Sequence, residues 1–145
     1  MDKVQTRKLH KEDAPEISRI YAAITRKAVD SDFKRVVEEH ALRDDEACFV
    51  AEHEGKIVGF MISYILTGGF GMTKSAWIAT LGVDPDFMGT GIGAGLAEET
   101  FKYYKTQGIE NVYTSVRWDS TDLLSFFKTL GFDRSNFINL RKIIE

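Results

Sequence analysis

Residues Leu81 to Leu96 read Leu-Gly-Val-Asp-Pro-Asp-Phe-Met-Gly-Thr-Gly-Ile-Gly-Ala-Gly-Leu. An apolar run ends, Pro85 turns the chain, and glycines 89, 91, 93 and 95 lead into a helical pattern. Glycine permits positive φ and has no Cβ to hold a ligand off. Successive backbone N–H groups can then converge on one point, and the start of the helix adds its own unpaired donors and partial positive charge. That chemistry is anion binding, most naturally of a pyrophosphate.

Three readings compete for this segment. A tight turn without a ligand needs one glycine rather than four. A dinucleotide site matches on Gly89-Thr90-Gly91-Ile92-Gly93-Ala94, but that motif directly follows the first strand of a repeated βαβ array. Here it comes late and is preceded by Asp84–Met88. A coenzyme A site is the third. A P-loop is excluded because no G-x-x-x-x-G-K-[ST] occurs.

Other side chains capable of chemistry are few. The single cysteine, Cys48, lies in the apolar stretch Ala47–Ala51 and reads as a buried thiol rather than a nucleophile. His10 and His53 flank turns, and His40 sits on a helix. No pair has metal-ligand spacing, so no metal is expected. Trp77 and Trp118 read as packing residues, with Trp118 a candidate to line an acceptor cleft.

The elements that must position the glycine turn are read from hydrophobic period and turn residues. Val4–Leu9 reads as a strand. His10–Pro15 opens a helix carrying Ile17, Ile20, Tyr21 and Ile24 at helical spacing. Ser31–Leu42 predicts a second helix, with Phe33, Val36, Val37 and His40 on one side. Ala47–His53 and Lys56–Leu66 are strands joined at Glu54-Gly55. Gly68–Met72 is a turn and Ser75–Val83 a strand. A helix runs from about Gly91 to Gln107, with Gly108 to end it. Asn111–Arg117 predicts a strand, Ser120–Leu130 a helix, and Arg134–Ile144 a last strand. The expected fold is α/β of the α+β kind. It has a mixed, mostly antiparallel sheet of six to seven strands flanked by about four helices. The 145 residues fit a single domain over 1–145.

Composition narrows the function classes. Apolar residues make up 43% and charged residues 28%, with a net charge of −3, so neither nucleic acid nor an acidic substrate is favoured. The N-terminal residues lack a signal peptide's apolar core, no stretch approaches a membrane span, and one cysteine excludes an internal disulfide. The expectation is a cytoplasmic protein with no membrane partner.

The whole arrangement resembles the GCN5-related N-acetyltransferases (GNAT). Their signature is a strand ending V-x-P, then [QR]-x-x-G-x-[GA] opening a helix. Val83-Asp84-Pro85 and Met88–Gly93 fall on it in register. Phe126-Phe127-Lys128-Thr129-Leu130-Gly131-Phe132 is similar to the family's F-Y-x-x-L-G-F ending, and Arg7–Ala14 to its opening strand and helix. The resemblance implies transfer of an acetyl group from acetyl-coenzyme A to a primary amine by direct attack. It places the pantetheine arm along Leu81, Gly82 and Val83, in the manner of an added β-strand. It places the pyrophosphate on the amides of Met88, Gly89, Thr90, Gly91, Ile92, Gly93 and Ala94. Ser120 stands for a common asparagine near the pantetheine, and Phe126 and Phe127 for residues near the thioester. It leaves a homodimer open.

The chain departs from the family pattern at the positions that carry charge or protons. Met88 replaces Gln or Arg, and no basic residue occurs from Asp84 to Glu99. Weaker cofactor affinity is expected, because charged donors make the stronger hydrogen bonds. Phe127 replaces a tyrosine acid, and Ser115 replaces the glutamate base of one branch. The catalytic acid and base are therefore unassigned, with Asp119 and Asp122 the nearest carboxylates. An α-amine, with pKa about 8, needs less help from a base than a lysine at about 10.4. The alternative is an acetyl-coenzyme A-binding sensor or partner-binding module with little transferase activity. The acceptor amine is not legible in the sequence.

Overall fold

The structure is a computed structural model. It describes residues 4–26, 28, 31–43, 46–68, 70–71 and 73–145. Gly69 and Met72, part of the expected turn after Leu66, lie outside the described residues. The chain divides into two compact units, Met1–Tyr113 and Thr114–Glu145.

The first unit is built on strands β1 (Gln5–Lys8), β2 (Cys48–His53), β3 (Lys56–Leu66) and β4 (Ser75–Val83), with the short β5 (Val112–Thr114) next in order. The pairs β1–β2, β2–β3 and β3–β4 are antiparallel. Helices α1 (Ala14–Thr25) and α2 (Ser31–Ala41) precede β2, and α3 (Ile92–Thr106) follows β4.

α1 starts where the sequence places it. Pro15 and Glu16 occupy its first turn, and Arg26 ends it in the left-handed region. Arg7 on β1 grips the preceding turn through two bonds to the Asp13 carboxylate, both 2.8 Å, and also pairs with Glu52 on β2. Burial by itself raises the Asp13 pKa; the Arg7 hydrogen bonds, the His10 amide and the Arg7 charge together outweigh it and hold the carboxyl below its usual value.

Ile17, Ile20, Val37, Cys48, Val50, Phe60 and Ile62 form the core between these two helices and the sheet, with Tyr21, Ile24 and Phe33 packed against it. Val36, expected on the same side as Val37, is exposed instead, because the helix turns it away from the sheet. Burial pushes the Cys48 thiol up to about 11, as befits a packed rather than a reactive cysteine.

The opposite sheet face packs on α3. Tyr104 is buried there, accepting from the Ala47 amide (3.0 Å) and bonding the Ser63 hydroxyl (2.7 Å). This is the kind of satisfied polar network that fixes one packing arrangement.

The second unit holds α4 (Thr121–Thr129), closed by Gly131 at φ +93°. The predicted last strand over Arg134–Ile144 is not formed, and β5 is three residues rather than seven. The sheet among the described residues therefore has five strands, not six to seven. The sequence Phe-Ile-Asn-Leu-Arg-Lys-Ile-Ile has strand propensity, but propensity supplies no partner for the ladder. Ile138, Leu140 and Ile144 stay exposed.

Candidate active site

β4 carries the centre of the site. Its register sets Val83 opposite Gly59, Gly82 opposite Phe60 and Leu81 opposite Met61. One step further, the Asp84 amide donates to the Val58 carbonyl at 2.8 Å. In an antiparallel pair, bonded and non-bonded positions alternate. Gly82 therefore spends its peptide groups on β3, while Leu81 and Val83 aim theirs at the outer edge.

Along Leu81–Val83, no strand lies beside that edge among the described residues of this unit. β5 meets β4 where the Ala76 amide donates to Asn111 (3.1 Å), and its three residues reach about 10 Å at most. They end short of Leu81. Between the two halves of β4 the register slips: Ile62 faces Thr80 and Ser63 faces Ile78, which leaves Ala79 as a bulge. A bulge bends a strand and re-aims the residues beyond it.

The turn leaves β4 at Asp84, whose carboxylate caps the Asp86 amide at 2.9 Å. Gly89 and Gly91 adopt φ of +78° and +85°. A Cβ built at either meets nothing within 4 Å, so the space above them is open. The Thr90 hydroxyl is committed to the Phe87 carbonyl. Among the described residues, the amides of Gly89 to Ala94 donate to no protein acceptor. The Met88 amide makes a long 3.5 Å contact with the Pro85 carbonyl. The turn is thus a cradle of free N–H groups at the start of a fifteen-residue helix, with no cation among its side chains.

Two further glycines hold this geometry: Gly59, which no motif includes, and Gly82, expected along the pantetheine arm. A Cβ on Gly59 would stand 2.9 Å from Ile92 Cγ2, so glycine lets the first turn of α3 sit directly on the sheet. A Cβ on Gly82 would meet Phe60 at 2.7 Å and Ile24 at 2.8 Å, so glycine there lets α1 close on β4. Gly82 thus acts through packing rather than through a free peptide group. The signal for Gly59 in the sequence was an isolated glycine inside an apolar strand.

The second unit carries the remaining predicted residues. Ser120 precedes α4 without a side-chain capping bond. Phe127 is buried and packs edge-on against Phe126 (5.3 Å) and Phe132 (5.0 Å). Ser115 Oγ accepts from Asn139 at 3.2 Å. Asp119 is held by Arg117 through two 2.9 Å bonds, which keep its carboxyl below the usual range. A carboxylate so held is a poorer base. Trp118 is exposed, under the Arg134 guanidinium at 5.3 Å.

The profile of the acetyltransferase (GNAT) family matches residues 14–132. The chain belongs to this family. Mycothiol acetyltransferase of Amycolatopsis mediterranei is 29% identical over 103 residues, 69% of this chain and 34% of that protein. An N-acetyltransferase of Methanocaldococcus jannaschii is 33% identical over 99 residues, 66% of this chain and 43% of that one. This GNAT chain thus spans less than half the length of these relatives. An aminoglycoside N-acetyltransferase solved with coenzyme A superposes with a TM-score of 0.83 over 99% of this chain and 96% of that one, at 16% identity. The fold is therefore the GNAT fold. Among the described residues, no helix is long and apolar enough to cross a membrane.

Proposed function

We propose that the chain is an acetyl-coenzyme A-dependent amine acetyltransferase acting as one domain, since the family match runs across both units. The observation that carries this reading is a continuity of free backbone groups. The outward peptide groups of Leu81 and Val83 lead directly into the unpartnered amides of Gly89 to Ala94. One edge suits an amide-bearing arm, and the other end suits its pyrophosphate.

Acetyl-coenzyme A supplies an activated acetyl group: its carbon–sulfur bond breaks as a carbon–nitrogen bond forms, and the ammonium proton passes through water to the thiolate. The chain's own residues do the rest. The Leu81 and Val83 amides orient the arm and offer N–H to the carbonyl oxygen as it gains negative charge. Gly89 to Ala94 hold the diphosphate through backbone alone. Holding both reactants together accounts for much of the rate. Phe127 and Ser115 carry no proton in this reading. A thiol with pKa near 8.5 leaves without an acid, and an amine titrating near 8 needs only solvent as base. The acceptor is a primary amine of the classes acetylated by this family, on a small molecule or a peptide. The single buried thiol suits a reducing, cytoplasmic setting.

Calorimetric titration with acetyl-coenzyme A, coenzyme A and NADH tests the reading. Micromolar binding of the coenzyme A forms alone, followed by thiol release with an amine panel, is the expected result. Binding without turnover of any amine points to a sensor module. No binding at millimolar ligand removes the reading.

A further inference from the structure

Three aromatic residues sit in a row across the β3–β4–β5 end of the first unit. Tyr64 and Trp77 are direct cross-strand partners. Trp77 stacks on Tyr113, with ring centroids 5.0 Å apart and planes within 24°. Their neighbours fix the face. Ile65, Ala76 and Val112 pack with Tyr104 and Ile109 on the α3 side. Side chains alternate along a strand, so Tyr64, Trp77 and Tyr113 point to the other face, the one shared with α1 and α2. The core beneath those helices reaches Ile62 on β3; the next residue on that face is Tyr64. All three rings are half-buried rather than sealed.

The row is continuous with the proposed reaction strand. Trp77 and Leu81 lie on the same strand, roughly 10 Å apart once the Ala79 bulge is allowed for. The glycine cradle sits at the start of α3, on the opposite face of the sheet. A donor entering from the α3 side leaves the aromatic face for the acceptor. We propose that Tyr64, Trp77 and Tyr113 form a platform that selects acceptor amines whose body is a flat aromatic ring. This rests on the acetyltransferase reading above. Stacked rings offer a wide apolar surface and favour an offset ring against them. Their electron-rich faces also attract an ammonium as it approaches. Two phenol groups and one indole N–H are the only polar atoms these side chains offer, and the indole already donates to Ser75 at 3.3 Å. Such a surface offers few hydrogen bonds to the many hydroxyls of a polyhydroxylated amine.

The test compares 2-phenylethylamine with ethanolamine and kanamycin as acceptors, using thiol release at saturating acetyl-coenzyme A. The expected kcat/KM for 2-phenylethylamine exceeds that for ethanolamine about tenfold or more, the scale of burying one phenyl face. Trp77→Leu should raise KM for 2-phenylethylamine about tenfold while kcat and the ethanolamine rate hold. Tyr64→Leu, on the neighbouring strand, should act in the same direction and guards against one variant failing to fold. In Trp118→Phe protein, where Trp77 is the sole indole, 2-phenylethylamine should change the emission saturably. Equal rates for all three amines, or a preference for kanamycin, overturn the platform while leaving the acetyltransferase reading intact. Failure to bind acetyl-coenzyme A overturns both.

Discussion

The glycines of the sheet and those of the turn are the same residue serving opposite ends. Gly59 and Gly82 are crowded: a Cβ at either would press within 3 Å of a neighbouring side chain. They exist so that α3 and α1 can lie close against β3 and β4. Gly89 and Gly91 are the reverse. Nothing stands within 4 Å of their missing Cβ, and both hold positive φ. They exist for backbone conformation and for the open space it leaves. Crowded glycines answer to stability, whereas open ones answer to conformation and to whatever occupies the space.

Substitutions can separate these roles. Gly82→Val has the largest expected effect. Its side chain meets both Phe60 and Ile24, and overpacking of this kind costs about 3 kcal/mol. Denaturant melts should show the loss, with acetyl-coenzyme A affinity of the remaining folded protein little changed. Gly91→Ala forces a Cβ into the left-handed region at a cost of about 1–2 kcal/mol. It should also weaken acetyl-coenzyme A about tenfold by calorimetry, or about 1.4 kcal/mol. Gly55→Ala is its control, with the same sign of φ and the same open surroundings but in the β2–β3 hairpin. It should lose comparable stability and no affinity; a matching loss of affinity would falsify the assignment of the cradle. Gly59→Ala is milder, about 1 kcal/mol, because Ile92 Cγ2 is the end of a side chain that can shift.

The smallest effect is in pH, and it sharpens the same division. The Asp13 pKa is held down in the folded state, so the stability from its Arg7 pairing is present above the ordinary carboxylate value of 3.8. It is lost as pH falls through the lower folded value. The stability gap between wild type and Asp13→Asn should close in that acid window. Acetyl-coenzyme A affinity should stay flat between about pH 7 and pH 9, because the cradle is backbone and carries no titrating cation. A steep loss of affinity across that range would point to a basic side chain in the site.

Chain order and most element positions were legible because each depends on nearby residues. β3 and β4 begin and end at the predicted residues, since Glu54-Gly55, Gly68 and Pro85 punctuate them. α3 differs by one residue at each end, for the same reason. The last strand was not legible. Residues 134–144 carry the apolar content of a strand, but a strand exists only beside a partner, and pairing is set by distant residues. The short β5 fails in the same way.

The sequence by itself determined the turn. Of the four alternating glycines after Val-Asp-Pro, Gly89 and Gly91 take the positive φ and the open surface, while Gly93 and Gly95 already belong to the helix that follows, all local properties of the backbone. It also determined that no Lys or Arg lies within the turn itself, between Asp84 and Glu99. Only the tertiary structure decided which peptide groups face outward. Leu81, Gly82 and Val83 are equivalent as a string, but the register against β3 turns Gly82 inward and its neighbours out. The tertiary structure likewise brought Tyr64, Trp77 and Tyr113, up to 49 positions apart, into one row. Local torsions are written in adjacent residues, while edges and faces arise only when strands choose their neighbours.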